Sequence, residues 1–266
     1  MARYDTFQDM NAELYFETRE NITRVYFNRP EKLNAFNLET SERFAALIKR
    51  LHKEKSRVVI FTGRGKAFCA GADLAFLESC ARLPQAKARA ILKKLYSNYL
   101  TLRTLKQVTI AQVNGAVAGG GLGMVLASDL RTLLASAKVA FNFVKIGLSP
   151  GMGILKMSEG LFGPARAKEL WLLGRTYTGA DLAQWGAASA CEATPEALER
   201  ATNSLAQELL ENAPLGMEFI KKEQLWKDAL SPYLAFNCTH QARCLTSAQG
   251  REGLRAIQER RKPRFE

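Results

Sequence analysis

Histidine is scarce in this chain. Only His52 and His240 occur among 266 residues, so a titrating imidazole near neutral pH has two candidates at most. Cysteine is present but unorganised. Cys69, Cys80, Cys191, Cys238 and Cys244 are odd in number and lack metal-ligand spacing, so reduced thiols and no metal site are expected. The opening stretch MARYDTFQDMNAELYFETRE has no apolar run of secretory type, which points to a cytoplasmic protein. The one long uncharged run, Val108 to Ser128, contains Gln112, Asn114 and three adjacent glycines. It reads as buried strand, turn and helix rather than as a membrane span. No low-complexity tract or internal repeat is visible.

Acidic residues are also missing locally. Between Ala81 and Ser128 there is no Asp or Glu, while Arg82, Lys87, Arg89, Lys93, Lys94, Arg103 and Lys106 are all present. A second basic cluster, Arg260, Arg261, Lys262 and Arg264, lies near the end, and the formal net charge is +12. Such a field favours an anionic partner: nucleic acid, the phosphates of CoA, or an acidic carrier protein.

The chain is 47% apolar, enough for one substantial core. ELYFETRENITRVYFNRP alternates about Glu20-Asn21 and reads as a hairpin stopped by Pro30. Phe44, Leu47, Ile48 and Leu51 share one helical stripe. RVVIFTG and VTIAQVNG are short β-branched runs, read as buried strands. A helix is expected from about Gln85 to Thr104, and another from Gly120 to Ser128. LRTLLAS and KVAFNF read as short strands. Beyond Gly151 helical patterns dominate, over about 152–162, 164–173, 180–186, 195–212 and 226–246. The organisation is a β/α core followed by a helical C-terminal part.

The stretch GAVAGGGLGM (115–124) places three glycines between a strand and a helix. Glycine lets a ligand approach the main chain closely, and a helix start leaves N–H groups unpaired beside partial positive charge. With a second such loop, FCAGAD (68–73), this can form an oxyanion-binding point. A phosphate cradle and simple tight packing remain alternatives on this reading.

Five stretches, NRPEKLNAFN (28–37), GKAFCAGADL (65–74), IAQVNGAVAGGGLGMVLASD (110–129), KIGLSPGMG (145–153) and ERRKPRF (259–265), resemble the enoyl-CoA hydratase/isomerase (crotonase) superfamily in order and spacing. The resemblance implies an α/β fold, a crotonase-like spiral of ββα units over residues 1–198 and a C-terminal helical trimerisation region over 199–266. It implies a homotrimer or dimer of trimers, and an acyl thioester carried on the phosphopantetheine of CoA or an acyl carrier protein. No tightly bound cofactor is implied. The thioester oxygen would be held by the backbone N–H groups of Ala72 and Gly120, with Leu33, Ala35, Ala70 and Asp73 along the carrier arm.

Hydratases of that family use two glutamates, one to activate water and one to pass a proton. The matching positions here are Gly123 and Phe143. Related isomerases carry an acid just after Ser-Pro, where this chain has Gly151. All three acid positions are empty, which argues against simple enoyl hydration. Loss of CO2 needs no base, because the bond electrons flow into a thioester enolate. FNFVKIGLSPGMG (141–153) resembles the decarboxylases of polyketide β-branching, which act on a methylglutaconyl group held by a carrier protein. That resemblance implies functional roles for Lys87 and His240. A tyrosine of those enzymes' first loop has no counterpart here.

Several residues are read as structural: His52 as a helix-end surface residue, Cys69 as a small filler, Asp73 as a loop brace, Asp129 as a fold residue, Lys145 and Met152 as packing. The alternatives to decarboxylation are another crotonase-type enzyme (isomerase, hydratase-like or thioesterase) with His240 as base, or a non-catalytic protein binding acyl-CoA or RNA. Nucleic acid ranks last, since no aromatic-interleaved basic motif is present.

Overall fold

The computed structural model describes residues 9–227 and 231–265. It opens with a hairpin, β1 (Leu14–Arg19) and β2 (Ile22–Phe27), turned at Glu20 and Asn21, both in the left-handed region. A loop then leads to α1 (Leu38–Leu51). Asn37 caps this helix by accepting from the Thr40 amide at 3.0 Å, and Phe44, Leu47, Ile48 and Leu51 face inward, as their spacing predicts.

Three ββα turns follow. The first has β3 (Val58–Gly63), β4 (Ala67–Cys69), α2 (Leu74–Ala81) and α3 (Gln85–Leu100). The second has β5 (Val108–Val113), β6 (Ala116–Ala118) and α4 (Gly120–Ala127). The third has β7 (Leu130–Leu134), β8 (Lys138–Ala140) and α5 (Ile154–Leu173). The longer strand of each turn enters one sheet, ordered β1-β2-β3-β5-β7-β10. The shorter enters a second, ordered β4-β6-β8-β9. Here β9 is Thr176–Thr178 and β10 is Ala190–Glu192. β3, β5 and β7 pair in parallel, with Ile60 opposite Ile110 and Ile110 opposite Leu130. Near-continuous apolar strands suit a parallel sheet covered on both faces.

The corner between the sheets is tied by two asparagines. Asn114 accepts from the Gly63 amide at 3.0 Å and donates to Gly65 O at 3.1 Å. Buried Asn34 donates to Ala67 O at 2.8 Å and to Arg64 O at 3.0 Å, fastening the 29–36 loop beside β4. Each such bond contributes about 1 kcal/mol net and costs more to leave half-made.

The remaining helices are α6 (Gly179–Gln184), α7 (Pro195–Glu211), α8 (Pro214–Lys227), α9 (Ser231–Leu245) and α10 (Ala248–Gln258). Several departures from the sequence reading have simple causes. β4 and α2 lie inside what reads as loop, because three-residue strands and a short helix leave too little periodicity. The helix expected over 226–246 begins at Ser231, and residues 228–230 of that span lie outside the described residues. α8 escapes notice because its Leu215, Phe219 and Ile220 stay exposed and form no buried stripe. In α5 the chain breaks at Gly163, before Pro164, as the two separate helical spans anticipate. The expected boundary at 198/199 falls within α7. Leu198, Thr202 and Ala206 of that helix are buried against the large sheet, and Thr202 Oγ1 meets Thr132 Oγ1 at 2.7 Å.

Asp129, just after α4, serves the fold as expected. One carboxylate oxygen accepts from the Thr109 amide and hydroxyl, both at 2.7 Å, and pairs with Lys221 Nζ of α8 at 2.6 Å. Burial lowers the pKa of Lys221, and the Asp129 charge opposes that shift. Asp129→Ala would leave a desolvated ammonium bonded to the Gln107 carbonyl but without a counter-charge. Its expected cost is about 3 kcal/mol, the low end for a broken buried pair because Asp129 still touches water. A urea-denaturation midpoint measures this, and an unchanged midpoint would refute the role.

Candidate active site

Residues 33–36 run alongside residues 70–73. Ala70 N–H donates to Leu33 O at 3.0 Å, Phe36 N–H to Gly71 O at 2.9 Å, and Asp73 N–H to Phe36 O at 2.8 Å. This is the parallel bridge pattern between Phe36 and Ala72. Its hydrogen bonds go through the neighbours of Ala72, so Ala72's own N–H points to the opposite side. Gly120, for its part, opens α4 after Gly119, whose φ is +54°. Its N–H has no carbonyl behind it in the helix and lies at the positive end of the helix dipole.

The two loops touch. A methyl group on Gly71 would lie 2.9 Å from Ala118 O and 3.3 Å from Gly120 N. One on Gly120 would lie 2.8 Å from Phe36 Cε1, inside the ring's contact surface. Ala72 and Gly120 line a single cavity of about 210 Å³. The glycine run therefore exists for close backbone approach.

Each empty acid position has a distinct occupant. A methyl on Gly123 would lie 2.7 Å from Met152 Sδ, so the thioether fills the space beside α4. Met152 itself is fully buried with φ of +56°. Phe143 is buried and forms part of the cavity wall. A methyl on Gly151 would lie 2.8 Å from the Tyr96 hydroxyl, and would also run into Gln241 Oε1. The Tyr96 hydroxyl, from α3, donates to Gln241 Oε1, from α9. Both residues are buried, and both line the cavity. Burial pushes the Tyr96 phenol above its ordinary pKa. No Asp, Glu or His lines this cavity among the described residues.

The sequence-derived candidates divide sharply. Ala70, Ala72 and Gly120 meet at the cavity. Asp73 is the N-cap of α2, accepting from the Ala75 amide at 3.0 Å, and stands 3.9 Å from Lys32 Nζ. Its carboxylate is engaged by the start of α2, and Asp73 is not among the residues that line the cavity. Leu33 is exposed and Ala35 is partly buried, its carbonyl accepting from Arg29 at 2.8 Å. Lys87 and His240 are not brought to the cavity. Lys87 lies exposed in the first turn of α3. His240 is exposed, with its ring against Phe236 at 4.0 Å between centroids. One residue further along α9 the helix has turned inward, and Gln241 takes the place assigned to the histidine. Cys69 is buried and its thiol is pushed up to about 12 by desolvation, which fits a filler.

Sequence reasoning missed Tyr96 and Gln241. The signal lay in α3, where Ala88, Leu92, Leu95 and Tyr96 fall at the spacing of a buried helical face.

Because Met152 occupies the space beside Gly123, Gly123→Glu should not create a hydratase. Overpacking predicts a stability loss of about 1–3 kcal/mol, with no loss of enoyl absorbance from crotonyl-CoA. Thermal melting and an ultraviolet hydration assay check both parts.

The profile of the Enoyl-CoA hydratase/isomerase family matches residues 17–266. A putative enoyl-CoA hydratase from Thermus thermophilus is 31% identical over 248 residues, covering 92% of this chain and 97% of that protein. The 1,2-epoxyphenylacetyl-CoA isomerase of Escherichia coli is 29% identical over 250 residues, covering 92% of this chain and 95% of that protein. A solved enoyl-CoA hydratase/isomerase from Mycobacterium paratuberculosis superposes with a TM-score of 0.82 at 24% identity, over 93% of this chain and 99% of that one, a likeness of fold. With its spiral of ββα turns and its paired glycine loops, the chain belongs to the enoyl-CoA hydratase/isomerase family.

Proposed function

We propose that this enzyme holds an acyl thioester carbonyl between the Ala72 and Gly120 amides and works through an enolate formed without a carboxylate base. The reaction that meets these conditions is loss of CO2 from a glutaconyl-type acyl thioester. The observation that carries the reading is the cavity itself: two backbone donors surrounded by Phe143, Met152, Leu148 and the neutral Tyr96–Gln241 pair. The bond from the γ-carbon to the departing carboxylate breaks. Its electrons delocalise through the alkene onto the thioester oxygen, where the two N–H groups stabilise the charge. One proton then quenches the dienolate carbon, giving an enoyl thioester and CO2.

The basic exterior supports an anionic carrier. Arg82, Lys87, Arg89, Lys93 and Lys94 are exposed on and beside α3, where they would attract the phosphates of CoA or an acidic carrier protein at the far end of the phosphopantetheine arm. Assembly as a homotrimer or dimer of trimers belongs to the same reading. Exposed Leu215, Phe219 and Ile220 on α8 and Tyr233 and Phe236 on α9 supply apolar surface for it.

A second reading, double-bond isomerisation or hydratase-like turnover of an acyl-CoA, is favoured by the names of the relatives. Mass spectrometry separates the readings. Glutaconyl-CoA and methylglutaconyl-CoA should lose one CO2, whereas an isomerase leaves mass unchanged and a hydratase adds water. Absence of turnover with β- or γ-carboxylated thioesters, on CoA and on carrier protein, sinks the decarboxylase reading.

Gly120→Ala keeps its N–H but drives a methyl into the Phe36 ring and so pushes the donor off its position. The rate should fall roughly 100-fold, the scale of a lost oxyanion contact, with thermal melting used to verify that the variant is folded. The wild-type rate should be flat from about pH 6 to 8, where no cavity-lining side chain has its ordinary pKa. The sign is fixed by Tyr96: a phenol raised further by burial keeps its proton throughout that range. A bell-shaped profile would indicate a titrating base from elsewhere.

A further inference from the structure

We infer that the Tyr96 hydroxyl, positioned by Gln241, is the group that delivers the proton to the dienolate. This rests on the enolate reading above and adds to it the identity of the donor.

Geometry comes first. Tyr96 and Gln241 reach the cavity from different helices, and their side chains meet there. A buried polar pair in a cavity lined mostly by apolar side chains, with Asn142 as the other polar one, costs desolvation that a leucine pair would avoid. Gly151 carries no side chain, and that is the space the pair enters. Nearby Tyr99 makes the contrast. It is similarly buried, but its hydroxyl bonds Thr40 Oγ1 at 3.1 Å, its ring packs on Phe36 and Phe44, and it does not itself line the cavity. Of the two tyrosines on this face of α3, one is structural and one is presented to the substrate space. Among the described residues lining the cavity, Tyr96 carries the one O–H group.

The chemistry balances. The Tyr96 O–H bond breaks and a C–H bond forms at the dienolate carbon, leaving a phenolate that takes a proton from water. A carbon acid beside a thioester holds its proton far more tightly than a phenol, so the transfer is downhill even with the phenol made less acidic by burial. Gln241 is a positioning residue. Its Oε1 holds the phenol oxygen in place, and the phenol turns from that acceptor to the carbon as the charge develops.

A dienolate can be protonated at either end, and the fixed position of one donor selects one end. That yields a readout which a purely structural tie between α3 and α9 would not move. With glutaconyl-CoA in deuterium oxide, the wild type should give a single double-bond isomer carrying one deuterium. Tyr96→Phe keeps the ring and the packing. It should lower kcat about 100-fold, the lower end for a lost general acid, with KM within about twofold. Its residual product should be a mixture of the conjugated and unconjugated isomers. Gln241→Met should show a smaller loss of kcat and a partial mixture, with Tyr96 still present. Thermal melting verifies that each variant is folded. Wild-type kcat and a single isomer from folded Tyr96→Phe would overturn the inference while leaving the proposed function standing. If the wild type shifts a double bond without losing CO2, the dienolate forms by loss of a proton and keeps its carboxyl group. Tyr96 as the returning donor then predicts that folded Tyr96→Phe loses the shift, and an unchanged shift overturns the inference. A wild type that turns over neither kind of substrate overturns the enolate reading, and this inference with it.

Discussion

The site depends on one close backbone approach: Gly71 against the Ala118–Gly120 segment. The second sheet produces it. β4 and β6 are parallel neighbours of only three residues each, paired at Ala67–Ala116 and Cys69–Val117. The chains leaving their C-terminal ends have little room to diverge. A side chain at Gly71 or Gly120 would push the loops apart or strike Phe36. The Phe36–Ala72 bridge then sets the direction of one N–H, and the start of α4 sets the other. On the proposed reading, the electrophilic half of the chemistry is built from main chain and follows from the fold. It leaves the surrounding side chains free to define the reaction.

Those side chains make the cavity neutral. A carboxylate beside Gly123 would have to displace Met152, whose left-handed backbone costs roughly 1–2 kcal/mol for a non-glycine residue. That strain persists because the surrounding packing holds Met152 in place, with its side chain at 0% exposure. At Gly151 the absent side chain makes room for a hydrogen-bonded phenol and amide. Hydrogen bonds in such low-dielectric surroundings are stronger than in water, and an unpaired polar group is correspondingly costly. A neutral paired donor is a far smaller desolvation burden there than an isolated carboxylate.

Most of the fold was legible in the sequence for identifiable reasons. The hairpin at Glu20-Asn21, the stripe of α1 and the strands β3, β5 and β7 carry strong local periodicity. The glycine loops were legible because backbone chemistry requires glycine wherever it occurs. What stayed hidden needs tertiary information. β4 is too short to show a period, and α8 has no buried stripe. His240 and Gln241 are adjacent in sequence, yet a single step around α9 sends one to solvent and the other into the cavity. Chemical type made the histidine attractive, and the phase of the helix decided against it. Tyr96 and Tyr99 look alike in sequence, and only their partners distinguish them. The vacancies at Gly123, Phe143 and Gly151 were visible at once, but their occupants were not, because Met152, Tyr96 and Gln241 arrive from other elements.

The distribution of charge makes the same point at the scale of the whole molecule. The exterior around α3 is strongly basic, while the cavity behind it holds no charged side chain among the described residues. An acyl thioester has a matching division, with an anionic carrier at one end and the reacting acyl group at the other. Long-range attraction then acts on the carrier and is screened by salt. On the proposed reading, the reacting group instead meets fixed dipoles in a cavity lined mostly by apolar side chains, where screening is weaker. Binding and chemistry are thereby assigned to different physics. Under this division added salt should weaken substrate capture through KM while leaving kcat nearly unchanged. A cavity that relied on a surface lysine or histidine for its proton would show both parameters responding.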